Sequence, residues 1–136
     1  MNILIVDGQG GGVGRQLVQA LKSSFPECFV MAVGTNSTAT SVMLKAGADA
    51  AATGENAVIT AARKADIISG PIGIVVADSL FGEITPAMAL AVSQSNAKRV
   101  LLPFQHCDNI IVGVGEYNMS NLIQMAVNEI KRLKNN

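Results

Sequence analysis

Short apolar runs alternate with stretches of helical periodicity along the whole chain. Residues 3–6 (Ile-Leu-Ile-Val) are apolar without alternation, the pattern of a strand buried on both faces of a parallel sheet. After a glycine cluster, Val13, Leu17, Val18 and Leu21 fall at helical spacing, and Phe25-Pro26 closes that helix. Residues 29–33 predict a second strand ending at Gly34. Thr35-Asn36-Ser37 then offers caps for a helix to about Ala46, with Gly47 as its stop. Residues 49–52 predict a short third strand, and Thr53-Gly54-Glu55 opens a helix to about Ala65. Residues 66–69 predict a fourth strand ending in Gly70-Pro71.

Residues 72–80 contain the β-branched run Ile74-Val75-Val76 but sit too close to the fourth strand for a parallel crossover, so a short helix or lid-like loop is expected. Thr85-Pro86 is a cap followed by proline at the first helical position. The helix over 87–94 is apolar nearly all round and is expected to be buried. Residues 99–102 and 110–114 predict the fifth and sixth strands. A final helix over 120–133 carries Leu122, Ile123, Ala126, Val127, Ile130 and Leu133 on one stripe. Lys131, Arg132 and Lys134 stand in its last turn, where they suit the helix dipole. The expectation is an α/β fold: a three-layer, doubly wound parallel sheet of about six strands in the order 3-2-1-4-5-6, Rossmann-like, forming a single domain over residues 1–136.

Composition narrows the partners. The 136 residues are 49% hydrophobic and 15% charged, against a usual charged share of about 25%, which excludes a disordered chain. The low charge also suggests that a second copy covers part of the surface, as in a homodimer. Ten basic residues balance ten acidic ones, so no nucleic-acid partner is expected. The charge-free runs are too short to span a bilayer, and the N-terminus lacks the basic flank and cleavage site of a signal peptide. Two cysteines, Cys28 and Cys107, are too few for a disulfide scaffold, and no metal site is expected. A cytoplasmic protein is the reading.

The candidate chemistry centres on Gly8, Gln9, Gly10, Gly11, Gly12, Val13 and Gly14, between a predicted strand and a predicted helix. Glycines there let a ligand approach the backbone, and N–H groups at the helix start can hold a phosphate. The usual G-x-G-x-x-G spacing fails. Gly8, Gly12 and Gly14 match instead the G-x-x-x-G-x-G of short-chain dehydrogenases. At the end of the second strand, Thr35, Asn36 and Ser37 stand where an NAD site usually has an acid. They serve either as helix caps or as contacts to a phosphate, including a 2′-phosphate. Gly70 and Pro71 could wall a ribose or base. Cys107, His106 and Asp78 are the candidate catalytic groups, and Glu83 is a further acid near the same edge.

These features look like a Rossmann-type dinucleotide-binding domain, which implies NADP, NAD or another nucleotide as cofactor and a small phosphorylated ligand. The tyrosine–lysine dyad of short-chain dehydrogenases is missing, because Asn121 stands four residues after Tyr117. VDGQGGGVG, AVGTNSTATSVMLKAGAD, ATGENAV and GPIGIVVADSLFGEITPAMA resemble a family of small bacterial proteins catalogued as a domain of unknown function. That resemblance implies a bacterial cytosolic protein and names no activity. Residues 34–40 with Leu44-Lys45-Ala46-Gly47 are also similar to the phosphate loop of methylglyoxal-synthase-like domains, which implies a sensor or small enzyme for a phosphorylated metabolite. The expected function is nucleotide binding, with that alternative beside it.

Overall fold

The computed structural model describes residues 1–104 and 108–136. Five parallel strands form one sheet: β1 (Asn2–Asp7), β2 (Phe29–Gly34), β3 (Ala50–Thr53), β4 (Ile67–Pro71) and β5 (Lys98–Leu102). Their spatial order is β3-β2-β1-β4-β5. The helices are α1 (Gly12–Ser24), α2 (Ser37–Lys45), α3 (Glu55–Lys64), α4 (Pro86–Gln94) and α5 (Met119–Lys134). A 3-10 turn over Ile72–Val75 follows β4.

The unalternating apolar run of β1 has the expected consequence. Ile3 and Ile5 join a core with α1, α2 and α5, while Leu4 and Val6 join a second core with α3, α4 and the 3-10 turn. Both faces of the central strand are therefore dry, and the fold has three layers. The chain winds outward from β1 through β2 to β3, then crosses to β4 on the other side of β1. The strand order reverses between β1 and β4, and in such sheets the crevice beyond the carboxyl ends of these strands is where ligands bind.

The sixth strand is not formed. Residues 110–114 make no ladder, and Ile110 and Val112 are 90% and 94% exposed. Only seven residues separate Leu102 from Ile110, and a parallel return needs a crossover of about a dozen or more. β-Branching alone cannot place a strand where the chain has no length to reach the edge of β5. The helix α4 also departs from expectation. Met88, Ala89 and Val92 are buried, whereas Ala87 and Leu90 face outward from its packing on α3.

Capping follows the sequence closely. Asn36 accepts from the Ala39 N–H at 2.9 Å, and Thr85 accepts from the Met88 N–H at 3.1 Å. Both chain ends lie by the amino end of β2, an interior strand. The Phe29 N–H, at the start of β2, donates to the Met1 carbonyl. Lys134, at the end of α5, pairs with Glu27 at 3.1 Å and sits over the Phe25 ring.

Candidate functional site

The loop after β1 is organised from below by one carboxylate. Asp7 is 1% exposed. Its Oδ1 accepts from the Gly8 N–H at 2.8 Å and its Oδ2 from the Gly14 N–H at 2.7 Å. Burial raises the Asp7 pKa above its ordinary value, against the lowering effect of those backbone donors. The Gly11 N–H closes the turn onto the Gly8 carbonyl at 2.9 Å. Gly11 has φ +72°, and a Cβ there would lie 2.9 Å from the Ala39 Cα, so the turn and the approach of α2 both call for glycine.

The outer side of the loop is open. A Cβ at Gly10 or Gly12 would meet nothing within 4 Å. Among the described residues, neither the Gly10 nor the Gly12 N–H has a protein acceptor. A shallow depression lined by Asp7, residues 8–13, Gln16 and Met119 lies over them. Gln16 and Met119 were not legible as site residues. Gln16 faces the loop from the first turns of α1, and Met119 arrives from the start of α5, more than a hundred residues along the chain.

Thr35 and Asn36 are brought to the loop, but their polar groups are engaged. The Thr35 hydroxyl donates to Glu83 Oε1 at 2.6 Å. The Asn36 amide donates to the same oxygen at 2.8 Å and to the Gln9 carbonyl at 2.9 Å. The Gln9 N–H also reaches Glu83 Oε1, at 2.9 Å. Partial burial alone would push the Glu83 carboxyl up. The donors from Thr35, Gln9 and Asn36 outweigh it and hold the pKa below the ordinary glutamate value. Ser37 is the exposed first residue of α2 and stands outside this cluster.

Glu83 belongs to a segment that lies over the carboxyl ends of β1 and β2. Leu80 and Ile84 anchor it in the core, and a Cβ on Gly8 would touch both Leu80 and Glu83. The backbone is left-handed at the anchor Leu80 and at Phe81 and Gly82 after it, and Phe81 is 99% exposed at the tip. Of the short helix or lid-like loop expected over 72–80, the first part forms the 3-10 turn Ile72–Val75, and the lid-like loop that follows runs on past residue 80 to Ile84. Asp78 is exposed in the same segment, also left-handed, and its carboxylate has no hydrogen-bond partner among the described residues. The lid therefore presents Glu83 to the loop.

Gly70 and Pro71 are buried at the end of β4 rather than forming an open wall. Gly70 packs against the Val6 carbonyl, and Pro71 precedes the 3-10 turn. His106 and Cys107 lie outside the described residues. Among the described residues no group of three or more His, Cys, Asp or Glu could hold a metal, and no helix is long and apolar enough to cross a membrane.

A five-stranded, doubly wound parallel sheet with a glycine loop beside its switch point defines a Rossmann-like α/β protein. The chain belongs to the DUF3842 family, a domain of unknown function, whose model matches residues 2–135. No curated protein matches it. Among solved structures the chain is similar to a dodecameric FMN-dependent UbiX-like decarboxylase from Escherichia coli O157:H7. The identity is 15% and the TM-score 0.48, covering 100% of this chain and 96% of that one.

Proposed function

We propose that the chain is a nucleotide- or dinucleotide-binding module, binding or regulatory in role, whose glycine loop takes the phosphate of NADP, NAD or another nucleotide. The observation that carries this reading is the pair of unengaged N–H groups at Gly10 and Gly12. They stand at the N-terminus of α1 beside open space. Partial positive charge at a helix start favours an anion there. The lack of any side chain at Gly10 and Gly12 leaves room for its oxygens.

Calorimetry with NADP, NAD and adenine nucleotides tests the reading. Gly12→Asp introduces a negative charge where the phosphate would sit, and it is expected to weaken binding by about tenfold or more. Gly12→Ala meets open space and is expected to keep the fold, as thermal melting will show. Binding that ignores Gly12→Asp would remove the glycine loop from the site. If only a small sugar phosphate binds, and Thr35→Ala weakens it, the methylglyoxal-synthase-like reading takes its place.

Homodimer formation belongs to the same proposal. The apolar stripe of α5 and Ile74 are buried in the protein's own core. The exposed apolar residues Ile110, Val112, Tyr117 and Met125 support a contact beside the unpaired edge of β5 instead. Sedimentation equilibrium is expected to show a dimer at micromolar concentration, and Val112→Lys to shift it to monomer. A wild-type protein that sediments only as monomer refutes the contact.

A further inference from the structure

Three donors from two separate loops converge on a single oxygen of Glu83: the Gln9 N–H, the Thr35 hydroxyl and the Asn36 amide, at 2.6–2.9 Å. We propose that these donors form a second anion subsite, for a phosphate or carboxylate group of the ligand, and that Glu83 is a built-in stand-in which the ligand displaces. The subsite lies where the loops after β1 and β2 meet. This inference rests on the nucleotide-binding reading, adding to the Gly10–Gly12 phosphate position a second point of anion recognition.

The donor set carries the argument. A backbone N–H, a hydroxyl and a carboxamide are neutral groups that together satisfy one anionic oxygen, and charge-assisted bonds of this kind are stronger than neutral ones. The local field already tolerates one negative charge at this point, above the buried Asp7, because Glu83 supplies it. Exchange of Glu83 for a ligand oxygen leaves that balance unchanged. Glu83 is well placed to leave. It is only partly buried, so water can solvate the carboxylate as the ligand takes over its three donors, and it is carried by a segment with consecutive left-handed residues and an exposed tip. Leu80 and Ile84 stay in the core as the hinges. The carboxylate is thus a latch: closed, it fills the subsite and holds the lid down; open, it frees the subsite and the lid together.

The test uses the intact chain, with NADP, NAD and inorganic phosphate as probes. Glu83→Gln keeps the size of the side chain but loses the charge that the three donors prefer, so the competitor is weakened. The variant is expected to bind NADP about tenfold more tightly than wild type, which corresponds to about 1.4 kcal/mol. Thr35→Val in the Glu83→Gln background removes one donor and is expected to reverse most of that gain. In the wild type, NADP is expected to speed amide exchange over residues 78–84 as the latch opens. Phosphate and NAD separate the sources of the anion. A gain with NADP and free phosphate but not NAD assigns the subsite to a phosphate beyond the pyrophosphate. An equal gain with NAD assigns it to the pyrophosphate itself. Weaker or unchanged NADP binding by a folded Glu83→Gln protein overturns the latch while leaving the glycine-loop site standing. Added protection of 78–84 on binding overturns it too. If no probe binds either protein, both readings fall.

Discussion

Replacing Gly70 with alanine is expected to remove a large part of the protein's stability, on the order of 3 kcal/mol. Gly70 lies in β4, paired with central β1, and a Cβ there would run into the carbonyl oxygen of Val6. That oxygen cannot step aside cheaply, because β1 is flanked by β2 on one side and β4 on the other. The Ile74 Cδ1, 3.3 Å from the same point, closes the alternative direction. Overpacking that forces backbone to move costs about 1–3 kcal/mol and sometimes more, and whole domains of this size are held by only about 5–15 kcal/mol. The melting temperature should fall by roughly 10 °C. Urea unfolding measures the effect, with Gly10→Ala as a control at a position facing open space. An unchanged midpoint for Gly70→Ala would show that the two strands can separate locally without cost.

Asp7→Asn is expected to cost about 2–3 kcal/mol. The carboxylate accepts from Gly8 with one oxygen and from Gly14 with the other. Either oxygen of the carboxyl can accept, protonated or not, whereas an amide offers one acceptor and its NH₂ then faces a buried N–H. The pH dependence has a definite sign. Burial raises the folded-state pKa of Asp7, so the native protein keeps this proton to a higher pH than the unfolded chain. The contribution of Asp7 is therefore most favourable below the ordinary aspartate range and declines as pH rises through the raised value. The asparagine variant has no such slope, so its deficit should be largest in acid and shrink toward neutrality. Unfolding free energies for both proteins, from about pH 4 to about pH 7, will show this. A deficit that grows with pH would mean that the Gly8 and Gly14 donors overcome burial and keep the group ionised.

Local signals carried most of the fold. The unbroken apolar run at the start of β1, the Asn36 cap and the Thr85-Pro86 pair each act over a few residues, and each formed the element it predicts. The run at 110–114 shows the limit of that logic. Its β-branched residues suit a strand, but strand formation depends on a neighbour, and the chain between β5 and this run is too short to provide one in parallel. Ile74–Val76, equally close in sequence to β4, stays out of the sheet for the same reason. The glycine loop was legible because turn, helix start and strand end all lie within a few positions. Its partner was not. Glu83 lies 74 residues from Gln9, and only the packing of Leu80 over the ends of β1 and β2 brings the two together. One hint was available: Asp78 and Glu83 are the only charges between Ile67 and Ala97. Of the two, Glu83 took partners while the Asp78 carboxylate has none among the described residues, so the hint pointed to the segment and not to the residue. Thr35 and Asn36, read as either caps or ligand contacts, both donate to Glu83. Asn36 begins α2 through its oxygen and holds Glu83 through its nitrogen.

The placement of the two chain ends has a practical side. Met1 and Lys134 both sit by the start of β2, while the glycine loop, the lid and Met119 occupy the opposite rim of the sheet. With strands rising about 3.3 Å per residue, the six residues of β1 separate the two rims by roughly 20 Å. A fluorophore, an affinity handle or a surface tether can therefore be attached at either end with the glycine-loop rim still turned to solution. A reporter at each end would remain near its counterpart whichever way the lid moves. Distance measurements on the lid are better made from a probe at Phe81, whose side chain already projects into solvent.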